Sequence, residues 1–226
     1  MLTRFQSIVQ MLRTDPIGAV IYLVLFSAAI LLSLILHECG HGYIALKCGD
    51  PTAKYMGRLT MDPRKHLDPM GTVFMVLLGF GWAKPVPVNP RNYKNPKRDD
   101  ILVSIAGICV NLLLFFLSML FYVILIRKAS RSSQIIYWIR EFLLLMSSIN
   151  VSLAVFNLLP IPPLDGYHVF NDIILKGRLQ LDYQTFRIAQ IVLLFLCFSG
   201  ALSGVLSTAS NWLLNTVYRF FLSVIH

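Results

Sequence analysis

Long charge-free runs, separated by short basic stretches rich in proline and glycine, set the plan of this 226-residue chain. The first, residues 17–36, has about the 20 residues that a helix needs to cross a bilayer. Residues 101–126 form a second run. A third, residues 135–159, is interrupted by Arg140 and Glu141 near its start. It breaks at Pro160, Pro162 and Pro163 and resumes over residues 167–175. Residues 188–206 make a further span. The last run, 212–225, is short and carries Arg219, so it lies in the interface or crosses with a tilt. Ahead of all of these, Phe5, Ile8, Val9 and Leu12 repeat at helical spacing beside Arg4 and Arg13, which predicts an interfacial helix within residues 1–14. The run at 17–36 exceeds a signal-peptide core and no small-residue cleavage site follows it, so it is expected to be retained.

Residues 69–83 are apolar but too short to span, and they contain Gly71 and Gly79-Phe80-Gly81 before Lys84-Pro85-Val86-Pro87-Val88-Asn89-Pro90. Irregular backbone survives at membrane depth only against protein or water. A re-entrant or β-hairpin-like loop near residues 69–90 is therefore expected. The pattern predicts an all-α polytopic membrane protein with five to six membrane helices. Its single integral-membrane domain, 1–226, divides into the interfacial segment 1–14, a core over 15–175 and C-terminal membrane helices over 176–226.

Composition agrees. Hydrophobic residues make up 56% of the chain and charged ones 14%, with a mean hydropathy of +0.67. Soluble domains lie near 45–50% and about 25%. The net charge of +9 resides in loops, without a basic helix or aromatic platform, and this argues against nucleic-acid binding and for lipid headgroups. Thirteen of the 20 Lys and Arg residues fall in three stretches, 47–65, 84–98 and 176–187 (five, five and three). The positive-inside rule puts those stretches in the cytosol and the turn at 127–131 outside. The four cysteines, Cys39, Cys48, Cys109 and Cys197, form no CxxC pair and are expected to be buried free thiols.

Candidate chemistry begins where the first run ends, at His37-Glu38-Cys39-Gly40-His41. Residues four apart share a helix face about 5–6 Å apart, so both imidazoles can converge on one zinc ion. Glu38 directly follows the first ligand and reaches a metal-bound water rather than the metal. Cys39 points to another face. A catalytic zinc site takes a third protein ligand. Asp165 is an isolated carboxylate just after the prolines at 160–163; it is also suited to cap the helix that follows. His168 is a rival ligand at helical spacing, and His66, in a basic loop, is expected to be solvated.

The HExxH motif, Asn157-Leu158-Leu159-Pro160 and Leu164-Asp165-Gly166 together resemble the site-2 protease family of intramembrane metalloproteases. Gly57-Arg58-Leu59-Thr60, Gly79-Phe80-Gly81 and the segment Lys84–Pro90 resemble its small branch without a PDZ domain. The resemblance implies one zinc ion per chain held by His37, His41 and Asp165, and Glu38 as general base. It implies cleavage of peptide bonds in or beside transmembrane segments of membrane-protein substrates, near the cytosolic face of a prokaryotic cell membrane. Asn157 then faces the substrate carbonyl or oxyanion, or else caps the broken helix. An extended substrate pairs with the loop at Gly79, Phe80, Gly81, Val86 and Val88. Ile108 stands where the family usually has proline, which puts a kink there in question. A competing class is a transporter or channel whose ion path uses the same His and Asp residues. Glu38 separates the two, as a further ligand in transport but outside the metal's ligand set in hydrolysis.

Overall fold

The computed structural model describes residues 9–68, 70–71, 83–129, 133–179 and 181–225. Helix α1, Pro16–Cys48, starts where Asp15 accepts a hydrogen bond from the Gly18 N–H at 2.9 Å with Pro16 in the first turn. It ends at Gly49, whose φ of 110° is left-handed. Two short helices follow, α2 (Thr52–Tyr55) and α3 (Pro63–His66), then a 3-10 turn at Pro90–Asn92. Beyond these come α4 (Pro96–Lys128), α5 (Gln134–Asn157), α6 (Asp165–Ile173), α7 (Tyr183–Ser199) and α8 (Ser203–Val224). Residues 9–14 are helical, in line with the expected N-terminal helix, whose first part lies outside the described residues.

Among the described residues, α1, α4 and α5 are long and apolar enough to cross a membrane. The pair α7 and α8 adds a fourth span if taken together, because the two are bent by 75° at Gly200. Five to six spans were expected. The difference arises mainly at residues 188–206, where the apolar run is continuous in sequence but the backbone turns at Gly200, with φ 75°. At Ile108, where the sequence left a kink in question, α4 runs unbroken.

Helix α4 is the centre of the bundle and packs against α1, α5, α6 and α8. Phe115, Met119 and Val123 of α4 meet Val151 of α5 and Val217 of α8 in one core cluster. Outward residues such as Val24, Leu113 and Phe195 are exposed and apolar, as suits lipid contact. Polar groups between the helices are paired. Asn111 of α4 donates to Asn150 of α5 at 2.7 Å, and Asn150 donates to Ser33 of α1 at 2.8 Å, all three fully buried. Three helices are thus tied at one level.

The expected loop is described only in part. Gly79, Phe80 and Gly81 lie outside the described residues, but Ala83 forms an antiparallel bridge with Leu67, and the Lys84 N–H donates to His66 at 2.8 Å. His66 itself is 1% exposed, with Nε2 2.9 Å from the Thr60 carbonyl. The expectation of a solvated side chain is therefore wrong; the pairing of residues 66–67 with 83–84 carries it inward. The thiols also differ from expectation. All four are free, but only Cys48 is buried; Cys39 and Cys197 are partly exposed, and Cys109, on an outward face of α4, is exposed.

Candidate metal centre

Nε2 of His37, Nε2 of His41 and Oδ2 of Asp165 converge on one point. The two nitrogens are 3.0 Å apart and lie 3.3 and 3.4 Å from the carboxylate oxygen. Ligands arranged tetrahedrally at zinc's bond lengths of about 2.0–2.1 Å stand about 3.3 Å from one another. The triangle fits that ion.

The tautomers fit as well. Nδ1 of His37 lies 2.6 Å from Asn111 Oδ1, and Nδ1 of His41 lies 2.7 Å from the Val103 carbonyl. Both partners are acceptors, because the Asn111 amide nitrogen is already donated to Asn150. Each Nδ1 therefore carries the proton, and both lone pairs face each other at Nε2. Asp165 Oδ2 is buried with no hydrogen-bond partner. Two lone pairs and an orphaned carboxylate oxygen at 3 Å repel unless a cation lies between them.

Asp165 is not the cap of α6. It is the first helical residue; the cap position is Leu164, which makes no side-chain capping bond. Its carboxylate turns instead toward the imidazoles. His168 does not join the metal cluster, since its Nδ1 faces Asp100 at 3.6 Å. Cys39 donates to the Thr60 carbonyl, away from the site.

Two glycines allow this approach. A Cβ on Gly107 would stand 2.4 Å from His41 Nε2 and 2.5 Å from His37 Cε1, so α4 can back the imidazoles only without a side chain there. A Cβ on Gly166 would stand 2.4 Å from the Leu158 carbonyl oxygen. The start of α6 must pack directly on the turn after α5, and this brings Asp165 to the helix that carries the histidines.

Glu38 lies outside the metal cluster, with Oε2 accepting the Val86 N–H at 2.7 Å. Val86 is held by groups that the sequence reading gave no role. Arg58, 7% exposed, donates to the carbonyls of Lys84 (2.9 Å) and Pro85 (3.1 Å). Asp50, fully buried, accepts from the Asn89 N–H at 2.6 Å, the Asn92 amide at 2.8 Å and the Thr52 hydroxyl. Burial alone would push the Asp50 carboxyl up, but these donors hold it below the ordinary carboxylate range. The Val86 side chain is buried, whereas Val88 is exposed. Asn157 donates its amide to the Leu153 carbonyl of its own helix at 3.1 Å. That bond stays within the helix, whose cap position is Leu158, and serving a substrate would require the amide to turn.

Asn111 is the residue whose removal most directly perturbs the imidazoles without touching the metal position. Asn111→Ala is expected to weaken zinc affinity about 10- to 100-fold, as loss of an outer-shell partner does. Competition against a chromogenic chelator measures this, and an affinity within twofold of wild type would contradict the assignment.

The chain matches peptidase family M50 over residues 25–135 and 122–200. It is 41% identical over 165 residues to YwhC of Bacillus subtilis, named as a zinc metalloprotease, covering 72% of this chain and 73% of that one. Two mycobacterial proteins named as the zinc metalloprotease Rip2 are also similar. The Mycolicibacterium smegmatis protein is 32% identical over 67% of this chain and 58% of its own length. The Mycobacterium tuberculosis H37Rv protein is 29% identical over 92% and 76%. No solved structure matches the chain.

Proposed function

Since this chain belongs to peptidase family M50 and is a zinc metalloprotease, we propose that it cuts peptide bonds within or beside the transmembrane segments of membrane-protein substrates. The observation that carries this reading is where the ligands sit. His37 and His41 lie on a helix long and apolar enough to span, directly after its charge-free run 17–36. Ionisable groups placed at the end of a span favour a substrate segment that is already in the bilayer.

When bound, zinc supplies a Lewis acid that lowers the pKa of a water toward about 7. The protein's own groups do the rest. Glu38 takes the proton of the attacking water and delivers it to the departing amine nitrogen. Its Oε2 is engaged by the Val86 N–H, so Oε1 is the oxygen that moves the proton. His37 and His41 keep their Nδ1 protons on Asn111 and Val103 throughout, and this holds each Nε2 in place. The Asn157 amide, once turned from Leu153, donates to the substrate carbonyl oxygen as negative charge develops there.

The segment Val86–Val88 serves as the edge on which an unwound substrate strand pairs. Val86 has committed its N–H to Glu38, while the Val88 backbone N–H and carbonyl have no partner among the described residues. Substrate registered at Val88 therefore lies beside the base. The basic loops at 47–65 and 84–98 favour the cytosolic side for this edge. The position of Glu38 outside the metal cluster favours hydrolysis over a transport path lined by the same residues.

The test is to map the cut. Single-span substrates carrying tags on both sides are incubated with the zinc-loaded protein in detergent and in liposomes, and product ends are read by mass spectrometry. Cleavage within the span, or within a few residues of its cytosolic end, is the expected result. Cuts confined to distant soluble loops would overturn the intramembrane reading while leaving the peptidase intact.

A further inference from the structure

A second feature flanks α4 at its seam with α1. At 100° per residue, Leu102, Ile105 and Cys109 of α4 share a face turned away from Gly107 and Asn111, which back the histidines. Along that face, at the seam with α1, runs a groove of about 450 Å3. Its floor is apolar, made by Leu102, Ile105 and Cys109 of α4 and Ile44 of α1. Its rim is cationic, made by Lys47 in the last turn of α1, Lys94, and Arg98 in the first turn of α4.

The rim charges are not neutralised by neighbours. Among the described residues none of the three forms an ion pair. Lys47 lies over the Tyr43 ring, 5.4 Å from its centre, and Lys94 is tied by its backbone N–H to the Cys48 carbonyl at 3.0 Å. One carboxylate, Asp99, also borders the groove, but it is buried and accepts the Asn95 N–H at 2.8 Å. The groove therefore presents an excess of about two positive charges.

Its length and depth narrow the choice of ligand. The charge-free run of α4 begins at Ile101, three residues beyond Arg98, so the rim lies at the membrane surface and the floor inside it. From Arg98 to Cys109 is about 16 Å along the helix, and one leaflet of a 30 Å hydrocarbon core is about 15 Å. A small anion would use the rim and leave the floor empty, and an acidic peptide would likewise stay above Ile101.

We propose that this groove binds one anionic phospholipid, its phosphate between Lys47, Lys94 and Arg98 and one acyl chain along Leu102, Ile105 and Cys109. The bound lipid covers the α1–α4 seam beside Ile44 and Lys47. The site is separate from the peptidase chemistry and does not depend on the substrate reading above.

The experiment is native mass spectrometry of the full-length, zinc-loaded, delipidated protein in a neutral detergent, titrated with dioleoyl phosphatidylglycerol or dioleoyl phosphatidylcholine. With about 1 kcal/mol for each net cation at a lipid surface, the anionic lipid is expected to bind about 30-fold more tightly. Combining Lys47→Gln, Lys94→Gln and Arg98→Gln should reduce that preference to about threefold or less. Neutralising Lys176, Arg178 and Arg187 instead should leave it intact. Cys109→Trp, which keeps the rim but fills the floor, should weaken phosphatidylglycerol at least about tenfold and covers the case in which the rim variant fails to fold.

Equal affinity for the two lipids, or equal losses in the two triple variants, would overturn the proposal. So would unchanged binding in Cys109→Trp. Displacement of the lipid by inorganic phosphate at similar concentration would assign the rim to a free anion. Displacement by an acidic peptide would assign it to a protein segment.

Discussion

Glu38→Gln is expected to lower cleavage by on the order of 10²- to 10⁴-fold while zinc stays bound at one ion per chain. The substitution keeps the shape of the side chain and an oxygen that can still accept the Val86 N–H, so the loop and the helix remain where they are. What disappears is the lone pair at Oε1 that the proposed mechanism uses to take a proton. Glu38 is not among the three groups that converge on the metal position, so affinity for zinc should be nearly unchanged. The measurement pairs a tagged-substrate assay with metal analysis of the same sample. Lost zinc in the variant would make Glu38 a ligand and revive the transport reading. Retained cleavage would remove Glu38 from the mechanism.

Asp165→Ala should have an effect of a different kind, in which zinc itself is lost. Two imidazoles remain, one ligand short of a catalytic zinc site. No other described group stands ready to replace the carboxylate, since His168 faces Asp100 and Cys39 faces Thr60. Zinc content after gel filtration should fall to background. Because Asp165 caps nothing, the helical signal should stay at the wild-type level. Added zinc at about 100 times its dissociation constant stabilises a folded protein by about 2.7 kcal/mol, so wild type should melt at a higher temperature with zinc and the variant should not. A variant that holds zinc would show that the third ligand lies elsewhere. One that loses helix would return Asp165 to a structural role.

The two predictions separate because the residues lie on different structures. Glu38 is oriented by a loop that Arg58 and Asp50 hold, whereas Asp165 is delivered by the tight contact of Gly166 with the turn at Leu158. The proposed base and the proposed third ligand can therefore be lost one at a time.

By itself the sequence determined what depends on neighbours along the chain. Long apolar runs marked α1, α4 and, despite Arg140 and Glu141, α5, because a span is a matter of length and composition. HExxH placed two imidazoles together because residues four apart share a helix face. The break at Pro160–Pro163 and the carboxylate after it were legible too, and the likeness to a peptidase family joined these pieces. Tertiary structure decided the rest. It chose Asp165 over His168 as the partner of the histidines, and it gave His37 its proton partner in Asn111, 74 residues away. It set Val86 against Glu38 across 48 residues and buried Arg58, Asp50 and His66, which a reader of the chain would leave in solvent. It also bent the apolar run 188–206 at Gly200, where hydropathy alone sees one continuous span. The reason is physical: periodicity and hydropathy are local, whereas a buried polar group is placed by whichever distant donor or acceptor the packing brings to it.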